Sequence, residues 1–135
     1  MIEMLIKRRA AMMTEVEEER ITDLTGWTIN KSLTAQNFVN DTNWSSISPY
    51  YSVTPGESLT IRARNNNSSG CRGVFTTKQA NGNSVSNFDL IPSATVTVPT
   101  NAKFVRFMIV TSQADDCYIK NNTTNTYIWR GKNVE

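Results

Sequence analysis

The chain contains no histidine. That absence removes the commonest general base, the commonest protein metal ligand and every His-dependent nucleophilic triad. Its two cysteines, Cys71 and Cys117, lack the close pairing of a thiolate zinc site. The glycine patterns that cradle phosphates or dinucleotides are missing as well. No apolar run approaches the roughly 20 residues of a membrane-spanning helix, so no membrane insertion is expected. Charge of one sign is also scarce. The formal net charge is +2, and the one basic cluster, Lys7-Arg8-Arg9, is too short to track a phosphate backbone. Nucleic acid is therefore not an expected partner.

Carboxylates are the last route to catalysis. Outside Glu15, Glu17, Glu18 and Glu19 they are Glu3, Asp23, Asp41, Glu57, Asp89, Asp115, Asp116 and Glu135. A glycosidase sets two carboxyl groups across a cleft, whereas Glu57 falls in a turn and Asp115-Asp116 in a loop, where solvated side chains are the simpler reading. Asp115 and Asp116, with Asn or main-chain oxygens, would suit calcium; ordinary loop solvation is the alternative. No enzymatic activity, cofactor or metal is expected.

What the chain does have is period-two alternation. In Tyr50 to Arg64, the turn Thr54-Pro55-Gly56-Glu57 precedes Leu59, Ile61 and Ala63 alternating with Thr60, Arg62 and Arg64. In Ala94 to Thr111, Val96 and Val98 alternate with threonines, Pro99-Thr100-Asn101 breaks the run, and Val105, Phe107 and Ile109 alternate with Arg106 and Met108. One face of each strand is thus expected in a shared core, and the two stretches read as edges of one antiparallel sandwich. Asn81-Gly82, between Arg72 to Lys78 and Ser84 to Leu90, is a hairpin signal. Trp27 and Ile29 suit a first short strand, and Asp116 to Asn121 and Asn125 to Arg130 two last ones. The polar stretches Asn40 to Ser48, carrying Trp44, and Asn65 to Gly70 read as loops. The expected class is all-β, an antiparallel, jelly-roll-like sandwich of eight or nine strands over residues 21–135. A length of 135 residues supports one such domain.

Residues 1–20 (MIEMLIKRRAAMMTEVEEER) differ from the rest, and Gly26 marks the change. They are good helix formers in which Ile2, Leu5, Ile6, Met12, Met13 and Val16 trace an amphipathic stripe beside Lys7, Arg8 and Arg9. A helix this short is marginal alone, so it either lies on its own domain or docks, through adaptable methionines, on another subunit. The second reading makes it an attachment and oligomerisation segment, helical or extended. Its acidic block, from Glu15 to Glu19, stands where a secretory signal needs small residues, so folding in a cytoplasm with reduced thiols is expected. Exposed aromatic rings would stack on sugars. Trp44, Tyr51 and Trp129 are the first candidates, with Tyr50 and Tyr127 behind them. One of Tyr50 and Tyr51 must face the core, and Trp27 and Trp129 would equally seal the domain or fill an oligomer interface.

Three successive features carry a resemblance: Val-Thr-Pro-Gly-Glu ahead of a strand (Val53 to Ile61), Asn-Gly-Asn in a hairpin (Asn81 to Asn83), and Val-Pro-Thr-Asn-Ala-Lys-Phe-Val-Arg (Val98 to Arg106). Over about residues 45–120 this order resembles the carbohydrate-binding-module-like sandwiches of bacteriophage tail fibres, baseplates and head fibres. Met4 to Met13 also resembles the N-terminal tethers of small virion proteins from phages of gut bacteria. The resemblance implies a non-enzymatic virion protein, a head-fibre, decoration or tail-fibre subunit assembled in the host cytoplasm. Its partners would be capsid, portal or tail components and further copies of itself. The alternative it implies is an adhesin for host-surface glycans.

Overall fold

The structure, a computed structural model, describes residues 22–63, 71–89 and 93–135. Ten strands form two antiparallel sheets: β1 Thr28–Leu33, β2 Val39–Ile47, β3 Tyr51–Ser52, β4 Ser58–Arg62, β5 Arg72–Thr76, β6 Ser84–Asp89, β7 Ser93–Thr97, β8 Phe104–Val110, β9 Tyr118–Asn121 and β10 Thr126–Arg130. One sheet runs β1-β2-β8-β5-β6 with β3 also on β8; the other runs β10-β9-β4-β7. The expected all-β sandwich is what forms, and residues 1–20 lie outside the described residues.

The alternating strands meet as their pattern requires. Val105, Phe107 and Ile109 from β8 and Leu59 and Ile61 from β4 lie in one cluster with Phe75, Ile119 and Cys117. The two proline turns sit together, because Gly56 N–H donates to Val98 C=O at 2.9 Å and Val98 N–H to Glu57 C=O at 2.8 Å. Gly56 has φ +90°, which the turn requires and glycine accepts. The Asn81-Gly82 hairpin also forms, joining β5 to β6 through a loop in which Gly82 and Asn83 both take positive φ.

Three expectations need correction. The two proline-centred stretches are not both edges: β4 lies between β9 and β7, and β8 lies in the middle of the larger sheet. Each is flanked on both sides because its apolar face is dense enough to be central. Asn40 to Ser48 is not a loop but the body of β2. Its serines are buried yet satisfied, Ser45 Oγ donating to Lys31 C=O at 2.7 Å and Ser46 Oγ lying 2.6 Å from Thr111 Oγ1. Short hydroxyl side chains that find local partners can line a buried strand. Together with the two-residue β3, this raises the strand count above eight or nine.

The third correction concerns the far face of β8. Arg106 and Met108 alternate with the core residues, yet they are only 9% and 5% exposed. The cover comes from the β1–β2 hairpin. Between the pairs Ile29–Ser46 and Lys31–Asp41, Thr42 to Ser45 stand opposite Asn30 alone, whose φ is +61°. Such a bulge bends a hairpin sharply. The distal half consequently lies over the sheet, where Leu33 and Val39 pack on Ile47, Val74 and Met108.

The hairpin tip is then tied down chiefly through Asn37, helped by Gly82 N–H donating to Asn37 C=O at 3.1 Å and Ser84 Oγ donating to Ala35 C=O at 3.1 Å. Asn37, fully buried with φ +66°, has its amide nitrogen within 3.0 Å of Tyr50 Oη, 2.9 Å of Ala80 C=O and 3.0 Å of Gly82 C=O. An amide has two hydrogens for these oxygens, so one bond is shared. Its oxygen accepts from Arg106 Nη1 at 3.1 Å. Phe107, 0% exposed on the opposite face of β8, is with Phe75 one of the two largest side chains fully buried in the main core. Phe107→Ala is expected to cost roughly 3–5 kcal/mol through lost burial and a residual cavity, a large part of the about 5–15 kcal/mol of a domain this size. Urea denaturation at constant m-value measures it; a loss below about 1 kcal/mol would contradict the core assignment.

Candidate functional site

Of the aromatic candidates, Trp44 projects furthest into solvent. It sits in the β1–β2 bulge and is 41% exposed. Tyr51 is half-buried in β3, its ring 6.4 Å from Phe107. Trp129 packs on Trp27 with centroids 4.8 Å apart and donates from Nε1 to Asp23 C=O at 3.1 Å. Tyr51 and Trp129 thus belong to the domain's own packing. Tyr50 serves the Asn37–Arg106 cluster, with the Arg106 guanidinium 4.5 Å from its ring centroid. The attachment candidates Ile2, Leu5, Ile6, Lys7, Arg8, Arg9, Met12, Met13 and Val16 lie outside the described residues.

Most carboxylates of the described residues are engaged in the fold. Glu57 caps its own turn, accepting from Thr54 N–H at 2.7 Å and from Asn121 Nδ2 at 2.8 Å. Asp41 pairs with Lys31, and Asp89 with Arg72 at 3.4 Å. Asp115 and Asp116 end a 3₁₀ helix, Thr111–Asp116, rather than lying in an open loop. Asp115 is held by Thr22 Oγ1 and by Lys132 Nζ at 3.2 Å, and Asp116 accepts from Asn133 Nδ2 at 3.0 Å. Partial burial alone would raise the Asp115 carboxyl, but the bonds from Thr22 and Lys132 and the lysine charge hold it below the usual carboxylate value. Among the described residues no three metal-ligating side chains converge. Cys71 and Cys117 are buried, with their sulfurs directed at Ala63 C=O (3.8 Å) and Gln113 C=O (3.1 Å).

The surface that sequence reasoning missed is the outward face of the four-stranded sheet. Register puts Arg130 and Arg62 on either side of Tyr118, and Tyr127 beside Lys120. The inward partners in these strands are Ile61, Ile119 and Trp129, so the five side chains share the solvent side. The Tyr118 and Tyr127 rings meet edge-on at 5.8 Å. Lys120 Nζ and the Arg130 guanidinium lie 5.6 and 5.3 Å from the Tyr127 centroid. At the rim, Tyr127 Oη donates to the main-chain oxygen of Glu135 at 3.2 Å. In the sequence only the alternation Tyr118, Lys120 hints at this face. Its union with Arg62 comes from strand pairing across more than half the described domain.

No protein-family model matches the chain, and no curated protein or solved structure is significantly similar to it.

The packing of Tyr51 has a pH signature. Burial pushes its phenol up to about 12, and the Trp27 indole N–H, which lies nearby without reaching hydrogen-bond geometry, lowers it slightly. The neutral phenol is favoured in the folded state, so its contribution is complete below the unfolded value of about 10 and is lost as pH rises toward 12. Phenolate absorbance during alkaline titration is expected to include a late ionisation that coincides with unfolding, and Tyr51→Phe to remove that step. Ionisation of all four tyrosines near pH 10 without unfolding would contradict this role.

Proposed function

We propose that this protein is a non-enzymatic display module, with residues 1–20 serving as the attachment segment and the sandwich as the displayed part. One observation carries the reading: the described residues from Leu24 to Trp129 assemble a hydrophobic core between the two sheets by themselves. Each of the six apolar side chains in the stripe of residues 1–20, once buried, is worth roughly 1.5–3 kcal/mol, and a partner surface is the destination this reading gives them. With the resemblance of its turns and of Met4 to Met13, this supports a bacteriophage virion subunit of the head-fibre, decoration or tail-fibre kind. Its partners are then other virion proteins and further copies of the chain, and its location is the particle.

Carbohydrate recognition is the second reading. It is favoured by the open face bearing Tyr118, Tyr127 and three cations more than by Trp44, Tyr51 or Trp129.

The attachment role is tested by truncation. Deleting residues 1–20 is expected to leave a soluble monomer with an unchanged near-ultraviolet dichroism spectrum, while the full chain self-associates or co-purifies with a larger assembly. An unfolded truncation product, or one whose assembly by light scattering equals that of the full chain, would refute it.

A further inference from the structure

The outward face of the four-stranded sheet holds three cations that form no ion pair among the described residues. The ion pairs of the described residues lie elsewhere, joining Lys31 to Asp41, Arg72 to Asp89 and Lys132 to Asp115. No carboxylate among the described residues pairs with Arg62, Lys120 or Arg130. Tyr127 has two of these cations near its ring, a contact that biases them toward this face before any ligand arrives. In the adjoining row, Thr60 Oγ1 lies 3.0 Å from Thr95 Oγ1 and accepts from Asn122 Nδ2 at 2.8 Å. The face is therefore basic, hydroxyl-rich and aromatic only through tyrosine.

We infer that this face binds a carboxylated polysaccharide, a chain of uronate residues laid across β10, β9 and β4. The inference rests on the reading of the domain as a displayed, non-catalytic module. Arg130, Tyr118 and Arg62 form one cross-strand row, so the two guanidinium-bearing positions stand two strand spacings apart, roughly 10 Å, with a ring between them. An extended uronate chain offers the complementary sequence: a carboxylate, an apolar pyranose face, a carboxylate. Guanidinium groups take carboxylates through paired hydrogen bonds, the Tyr118 ring receives the C–H face of the intervening sugar, and the threonine row meets its hydroxyls. Lys120 supplies a further charge one pleat along β9.

Other polyanions fit less well. A protein partner needs an apolar centre for its anchoring side chains, and the outward strand positions among the described residues carry no aliphatic side chain. A single-stranded nucleic acid needs successive free ring faces for its bases, but Tyr127 is already engaged by Lys120 and Arg130, which leaves Tyr118 alone.

Calorimetric titration of the full chain tests the inference with three probes: short oligogalacturonate and oligomannuronate, the methyl-esterified oligogalacturonate, and oligodeoxythymidylate. Esterification keeps the sugar backbone and removes its charge. Saturable binding to at least one uronate is expected, weakening as salt is raised and lost on esterification. Arg62→Gln, Lys120→Gln and Arg130→Gln should each weaken it by about threefold to tenfold, Tyr118→Ala should weaken it comparably, and Trp44→Ala should leave it unchanged. All five side chains are on the surface, so matching thermal transitions separate lost binding from lost fold. Binding to neither uronate, equal binding of the ester, or tighter binding of oligodeoxythymidylate would overturn the inference. So would binding that emerges only after Glu15, Glu17, Glu18 and Glu19 are replaced by glutamine, since the chain's own acidic block would then be the occupant. A failed titration leaves the truncation test of attachment intact, and a failed truncation test leaves this titration intact.

Discussion

Strand β8 is buried on both faces, and much of the domain follows from that constraint. Its inward residues form the sandwich core, as an amphipathic strand demands. Its outward residues include Arg106, a cation that burial disfavours and that no carboxylate among the described residues neutralises. A buried charge is tolerated only when its hydrogen-bonding groups are met. Here Asn37 and Tyr50 Oη take Nη1, at 3.1 and 3.0 Å, and the Tyr50 ring backs the guanidinium. Nε remains buried without a hydrogen bond. Removing the Asn37 side chain would therefore loosen the hairpin tip and leave Arg106 Nη1 with Tyr50 Oη alone.

This arrangement makes the two outward sheet faces unlike. On the larger sheet the bulge at Asn30 turns the β1–β2 hairpin over Val74, Met108 and Ile47, and the tip is tied to the β5–β6 loop. That face is spent on stability. On the smaller sheet no described segment folds back, and the outward charges of β4, β9 and β10 pair with no carboxylate among the described residues. The proposed recognition surface is the second face, because the first is already covered by the chain's own hairpin.

Alternation made β4, β7 and β8 legible in the sequence, and Asn81-Gly82 made the β5–β6 hairpin legible, because both signals are local. The failures were of another kind. Asn40 to Ser48 looked like a loop because its residues are polar, and only the partners of Ser45 and Ser46 explain how they line a buried strand. Arg106 and Met108 looked solvent-facing because the cover on them comes from a hairpin bent by a bulge that no local pattern announces. The Arg62–Tyr118–Arg130 row was invisible for a similar reason: it exists only through the register of three strands drawn from distant parts of the chain. Trp44 was expected to be exposed, and it is, on a strand bulge rather than in a loop.

The central claim is that the β1–β2 hairpin is a permanent wall of the fold, which leaves the four-stranded sheet as the recognition surface. Native-state hydrogen exchange under increasing denaturant measures this directly. If the claim holds, the protected amides of Lys31 to Leu33 and Val39 to Asp41 exchange in the same cooperative opening as those of Val105 to Ile109 in β8. If the hairpin amides instead exchange through a separate opening of much lower free energy while β8 stays protected, the hairpin is a lid over the Arg106 face, and that concealed face becomes the site.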